Sequence, residues 1–465
     1  MNQPNRLENE PAKPTQERVI KELKREISLL QATSINMIDM VGIGPFVTIP
    51  LVMGKLGPHF LYAWILGALI SFIDAFIWSE LGSAFPKAGG SYNFLKEEYG
   101  PKWGKLFSFL FVWQTIIQAP LVVASGAIGF AQYASYLFPL DELGRKAVSG
   151  TLVIVLVIIL YREIKTIGRI SVMLWISVVL VLIWLILAGF TYSSPAAGWL
   201  EGSLAFPDLS PLFFVALGSA SVKTIYSYLG YYNVCHLGGE IRKPEVNIPR
   251  SIFISVAGIT GLYLMLNLSI VRVIPWQEAQ HSSFIASDVI GRTFGHEAGM
   301  VATALVLLIA FSSLFAVLLG YSRIPYAAAL DGQFFAVFGK LHPTKNFPHI
   351  SLLALGGLAF VFSLLFRLSD VITAVLAMRI VVQFIGQSAG VIILRRRTGG
   401  SHLKFRMPLY PFLVLLAIAV WCYIFISTGK TFMISGGIML LCGLLVFILK
   451  QRIETTRGGR QYTEE

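Results

Sequence analysis

The chain has 465 residues, 55% of them hydrophobic and 13% charged, with a mean hydropathy of +0.70. Such a composition excludes an ordinary soluble domain and a disordered chain, and it points to an all-α polytopic membrane protein. The net charge of +12 does not signal nucleic acid, because most of the 37 Lys and Arg fall in alternate tails and loops. That is the positive-inside distribution: it places both termini in the cytoplasm and leaves only a minor role for anionic lipid in the bilayer.

A hydrocarbon core of roughly 30 Å takes about 20 helical residues to cross. About twelve stretches serve, the fourth and ninth of them short: 29 to 54, 60 to 84, 104 to 137, 147 to 161, 170 to 192, 209 to 236, 250 to 274, 297 to 322, 350 to 366, 370 to 394, 408 to 428 and 431 to 449. Residues 1–26 are read as the cytoplasmic N-terminal tail, and the first 17 of them are polar, with Pro11 and Pro14 and no apolar core, so no cleavable signal peptide is expected. Residues 451–465 form the second cytoplasmic tail. The loops are short apart from 193 to 208 and 275 to 296, so function is expected inside the membrane.

The first span carries a flaw, Gly42-Ile43-Gly44-Pro45, midway along an apolar run from Ile27 to Met53. A broken helix in hydrocarbon exposes amides and carbonyls, and it survives only where it faces protein, a wet cavity or a ligand. The next span with an internal disturbance is the sixth, through Tyr226-Ser227-Tyr228-Leu229-Gly230-Tyr231-Tyr232-Asn233. An offset of five spans reverses direction, so 27–195 and 196–397 would be inverted five-helix units, followed by two helices in 398–450. Paired broken helices at corresponding positions point to a secondary transporter; Gly and Pro that merely kink the helices are the plain alternative.

Ionisable residues in the apolar slab are costly unless paired or wet. Asp39 stands one turn before Gly42, and Lys223 one turn before Tyr226. Asp74 lies deep in the second span, and Arg379 in the tenth, with Gln383 and Gln387 following on one stripe. Two acids and two bases invite internal pairing. They would be either structural ties or a coupling and gating set, Asp39 being a candidate for a coupling proton. Cys235, Cys422 and Cys442 have no metal-ligand spacing and read as packing residues. His296-Glu297 is half of a zinc-protease helix motif and lacks its second histidine, so neither an enzyme nor a cofactor is indicated. A receptor is the other distant alternative. Arg395-Arg396-Arg397 reads as a stop at the inner leaflet.

Further motifs carry a resemblance. Glu80-Leu81-Gly82-Ser83-Ala84-Phe85-Pro86-Lys87-Ala88-Gly89-Gly90-Ser91-Tyr92 follows the second span, and Gly239-Glu240-Ile241-Arg242-Lys243-Pro244 the sixth. Ser322-Arg323 through Asp331-Gly332 follows the eighth, and Phe405-Arg406-Met407-Pro408-Leu409-Tyr410-Pro411 enters the eleventh. In this order they resemble the amino acid-polyamine-organocation superfamily. The resemblance implies twelve helices in the leucine-transporter-like fold, with a 5+5 inverted repeat and broken helices 1 and 6. It further implies secondary active transport of amino acids across the plasma membrane by alternating access, as proton or sodium symport or as exchange. Polyamines or other organic cations are the alternative cargo.

A zwitterion can be held by a broken helix alone. Free amides at the start of the half-helix near Gly44 suit a carboxylate. Free carbonyls at the ends of the inner half-helices, around Met40 and Tyr226, suit an ammonium. The expected substrate residues are Met40, Gly42, Ile43, Gly44, Tyr226, Tyr228, Gly230 and Tyr231. In the family pattern the position of Ile43 is small or hydroxylated, and Tyr226 aligns with an aromatic gate. Many sodium-free relatives have a lysine in the fifth helix, where this chain has Val178. Ser312 and Ser313 match the neighbourhood that completes a sodium site in sodium-driven members. Glu80 and Glu240 are expected to anchor loops or gates near Arg242 and Arg323.

Overall fold

The computed structural model describes residues 23–192, 206–366, 368–401 and 403–461. Residues 1–22, most of the loop 193 to 208, and the last four residues lie outside these, so nothing bears on the tail expected there. The described chain is helical throughout; among the described residues its only β pairs are two isolated bridges, Ile27 with Ile241 and Ala88 with Leu237.

The first span is two helices, α1 (Leu29–Met40) and α2 (Gly44–Leu56). Ser28-Leu29-Leu30-Gln31 starts α1 as a capping box: the Ser28 amide donates to Gln31 Oε1 at 2.8 Å and the Gln31 amide to Ser28 Oγ at 3.4 Å. Pro45 explains the stop, since its ring would collide with the carbonyl four residues back, that of Val41. Val41 accordingly leaves helical geometry at φ −91° and ψ 78°. Proline then suits the first turn of α2, where its missing amide had no partner to lose.

Next come α3 (Phe60–Ala84) and α4 (Ser91–Ala134), the latter interrupted at Gly100, whose φ is +68°. The interruption sets a short segment, Ser91–Tyr99, apart from the third span. Then follow α5 (Glu142–Leu160), α6 (Ile164–Thr191) and the second broken span, α7 (Pro211–Tyr228) and α8 (Asn233–His236). Here α7 runs two residues past Tyr226. The chain then unwinds over Leu229–Tyr232, with Gly230 at φ +128°, where a Cβ would meet the Met40 amide nitrogen at 2.8 Å.

After α9 (Pro244–Val273), the expected loop 275 to 296 folds instead into α10 (Trp276–Ala279) and α11 (Ile285–Phe294), which cover α2. The chain continues with α12 (His296–Tyr321), α13 (Arg323–Leu330) and α14 (His349–Leu365). The tenth span is α15 (Leu368–Arg379), a π-helical stretch Ile380–Gly386, and α16 (Gln387–Thr398). Then come α17 (Phe412–Ser427) and α18 (Lys430–Gln461).

Among the described residues, eight helical stretches are long and apolar enough to cross a membrane, and two shorter apolar helices accompany them. The exposed apolar residues fall in stripes on outer helices: Met173, Ile176, Leu180, Ile183 and Leu187 on α6, and Ile434, Ile438, Leu441, Leu445 and Leu449 on α18. In water such stripes would be a liability, and in lipid they are the natural outer face. The helices α1, α2, α7 and α12 lie inside, so this is an all-α multi-pass membrane fold with its irregular backbone at the centre.

Candidate functional site

The two breaks face each other. Among the described residues, the amides of Gly42, Ile43 and Gly44 donate to no acceptor in the chain. They are the open donors at the N-terminal end of α2, where the helix dipole is positive. Across from them end α1 and α7, with carbonyl ends that are negative in the same sense. Because α7 packs beside α2 and α8 beside α1, the carbonyl end near Tyr228 belongs to the half on the α2 side. The expectation of two inner half-helices is corrected accordingly: the sixth span runs opposite to the first, so the C-terminal ends approach the centre from opposite sides.

One residue not singled out from sequence ties these ends together. The Tyr263 hydroxyl of α9 lies 2.7 Å from the Met40 carbonyl and 3.1 Å from the Ser227 carbonyl. Met40 therefore does not offer an unengaged carbonyl, although a carbonyl has room for a second donor. On the other side of the break, Ser313 Oγ donates to the Asp39 carbonyl at 3.1 Å. It also lies 2.7 Å from where a Cβ at Gly42 would stand.

Between the breaks is a cavity of about 50 Å³. Of the residues expected from sequence, Asp39, Met40, Gly42, Ile43, Gly44, Tyr226, Gly230, Ser313 and Arg379 line it. The apolar wall consists of Val122, Leu314, Val317 and Val375, which sequence reasoning did not pick out, because alternation of apolar residues along a spanning helix does not reveal which face meets a cavity. The Tyr226 hydroxyl meets Ser125 Oγ of α4 at 2.9 Å. The Asp39 carboxyl lies beside the Asn233 side chain, whose Nδ2 donates to the Ala316 carbonyl at 2.8 Å, and the Arg379 guanidinium acts on it through space.

The remaining expected site residues lie elsewhere. Tyr228 is buried in an aromatic cluster with Trp64 at 6.0 Å and Tyr263 at 5.2 Å. Tyr231 turns to Asp74, donating at 2.6 Å, and Trp421 Nε1 donates to both Asp74 oxygens at 3.1 Å. The helix ends at Tyr228, and the extended Leu229 that follows points these rings away from the cavity. Asp74 thus meets neutral donors from two elements, and Lys223 Nζ donates to Thr373 Oγ1 at 2.8 Å. Arg379 is held by Gln383 Oε1 at 2.9 Å and by the Tyr321 hydroxyl, under the rings of Tyr232 and Tyr321. Asp39, Asp74 and Arg379 form no ion pair with one another among the described residues. Ser312 spends its hydroxyl on Leu308 of its own helix at 2.7 Å, and Val178 is core.

The face on which α1 begins is sealed. Glu240 and Arg323 form a buried two-pronged pair at 3.0 and 3.1 Å. Glu80 pairs with Arg395 and accepts the Met407 amide at 2.7 Å. The amides of Glu26 and Ile27 both donate to the Glu240 carbonyl at 2.9 Å. Arg242, expected beside these acids, is exposed instead, and Arg395, read as part of a plain inner-leaflet stop, is the partner of Glu80.

A family model described as amino acid permease matches residues 27–449. The chain is 26% identical to the serine/threonine exchanger SteT of Bacillus subtilis, over 91% of this chain and 95% of the relative. It is 23% identical to the branched-chain amino acid permease BcaP of the same organism, over 93% and 94%. It is also similar to the human cystine/glutamate transporter, at 26% identity over 91% of this chain and 85% of the relative. With open helix ends converging on an internal cavity and a match over most of its length, the chain belongs to the amino acid permease family, a family of membrane transporters rather than enzymes.

Proposed function

We propose that the protein moves neutral amino acids across the cell membrane by alternating access, as a twelve-span carrier with inverted repeats and both termini in the cytoplasm. The observation that carries this reading is the convergence of both helix breaks on one cavity. The amides of Gly42, Ile43 and Gly44 are placed for a carboxylate. The carbonyl ends at Met40 and Tyr226 to Tyr228 are placed for an ammonium. Ile43, Val122, Leu314, Val317 and Val375 present an apolar wall suited to an uncharged side chain. The names of the relatives, which include a serine/threonine exchanger and a branched-chain permease, are consistent with that choice.

A polyamine has no carboxylate for the open amides, and Arg379 in the cavity wall offsets the attraction of Asp39 there. Asp39 borders the break and serves as the gating acid. Counterflow of labelled L-serine and L-leucine in proteoliposomes tests the reading, with putrescine as the control; uptake of putrescine alone would reject it. Asp39→Asn should reduce counterflow at least tenfold in protein that still inserts, and unchanged counterflow would remove Asp39 from the mechanism.

A further inference from the structure

Among the buried carboxyls that the mechanism above leaves unused, one has no hydrogen-bond partner. Glu98 lies on the segment Ser91–Tyr99, before the Gly100 break and outside the third span as read from sequence. It is 0% exposed, and neither carboxyl oxygen has a hydrogen-bond partner. It packs against α16 so closely that a Cβ at Gly390 would run into its Oε2. The neighbouring Tyr99 hydroxyl fixes the segment to the Gly386 carbonyl at 2.7 Å. A carboxylate buried without cation or donor is too costly to persist, so the form that fits this position carries its proton.

The charged and titratable groups around it are accounted for. Glu80 on α3 acts on it through space but is already held by Arg395 of α16 and the Met407 amide. Arg397 of α16 reaches the Glu97 carbonyl and lies beside Gly100. Lys96 turns to Asp331 at 2.6 Å. On its own segment there remain Glu97, Tyr99 and Tyr92, whose hydroxyl donates to Asp331 at 2.9 Å.

A polar stripe joins Glu98 to the cavity. Arg379, in the cavity wall, bonds Gln383; one helical step further is Gln387, which accepts from Ser91 Oγ at 2.7 Å, and beyond it is Gly390 against Glu98. The Nε2 atoms of Gln383 and Gln387 are both buried without a partner in the chain. Ordered water is the partner such atoms ordinarily take.

We propose that Glu98 is the site of a coupling proton. The proton reaches it from water in the cavity while the cavity is open to the opposite face, forming the O–H bond of the carboxyl. When the Glu80–Arg395 and Glu240–Arg323 pairs part, that bond breaks and the proton passes to water on the face where α1 begins. Because the protonated form suits the sealed state and the ionised form the wet one, proton release and opening are linked reciprocally. The inference rests on the transport reading, and its test separates the two.

In proteoliposomes with the membrane potential clamped, a pH difference of one unit should drive accumulation of labelled L-serine or L-leucine by up to about tenfold if one proton accompanies each substrate. Glu98→Gln, which copies the protonated shape, should lose this accumulation while retaining counterflow at equal pH. Glu98→Asp, which restores a titratable group, should recover part of it. Gradient-driven accumulation that survives in Glu98→Gln overturns the assignment. So does wild-type counterflow that ignores the gradient, an outcome that needs no variant to fold and leaves the transport reading standing. Absence of counterflow in the wild type would instead count against the transport reading and remove the basis of the assignment with it.

Discussion

Tyr263→Phe removes one hydroxyl from the junction of the two breaks and little else. The ring packs edge-on against Trp64 at 5.4 Å and Tyr228 at 5.2 Å, and a phenylalanine keeps both contacts. The hydroxyl has a single hydrogen shared between the Met40 carbonyl at 2.7 Å and the Ser227 carbonyl at 3.1 Å, so one bond is lost, not two. Leaving a buried acceptor short of its donor costs about 1–3 kcal/mol. That corresponds to a factor of roughly 5 to 150 in an equilibrium constant. If these carbonyls also meet the ammonium of a substrate, bound substrate supplies the missing donor and recovers part of the loss. The substrate-free variant should therefore melt at a lower temperature than wild type, and saturating L-serine or L-leucine should stabilise it by more than it stabilises wild type. Thermal unfolding of purified protein with and without substrate measures both quantities. An unchanged melting temperature would show that the hydroxyl holds nothing. An equal loss with and without substrate would show that the ammonium does not meet these carbonyls.

Two further substitutions probe the seal and the break. Arg323→Ala strands the buried Glu240 carboxylate and should cost about 3–5 kcal/mol, whereas Arg323→Met combined with Glu240→Gln should recover much of it; thermal unfolding of the single and double variants decides. Gly42→Ala places a methyl 2.7 Å from Ser313 Oγ and should depress counterflow at least tenfold, and adding Ser313→Ala should restore part of the activity, since only the 3.0 Å contact with the Ser313 Cβ then remains.

The sequence was most legible where backbone chemistry forces the structure. Pro45 cannot follow an intact turn through Val41, and Gly230 adopts a φ that a side chain resists, so both breaks could be read from composition. The partners of the buried charges could not. Asp74 finds Trp421, 347 positions away, and Glu80 finds Arg395, 315 away; pairing at that range depends on how helices cross, which periodicity does not encode. Tyr228 and Tyr231 show the same limit at close range. A break displaced from Tyr226 to Leu229 turns their rings out of the cavity. Glu98 escaped notice for a related reason: in sequence it is one of several charges before a glycine, and only the contact with Gly390 shows that it is dry.

The size of the cavity bears on what state this is. At about 50 Å³ it is roughly a third of a cavity of about 150 Å³ that takes a benzene, so an amino acid of the proposed kind enters only after the walls separate. On the face where α1 begins, separation means breaking two ion pairs, one of them fully buried, as well as the backbone bonds at Ile27 and Glu240. On the opposite side the ties of α7 beside the cavity include the hydrogen bonds of Tyr226 with Ser125 and of Lys223 with Thr373, each worth about 0.5–3 kcal/mol. In the alternating-access cycle proposed above, the easier opening is past Tyr226, and the α1 side opens only once something offsets the loss of its ion pairs. Substrate lodged between the helix ends and a proton leaving Glu98 are the two contributions that the arrangement of residues makes available for that step.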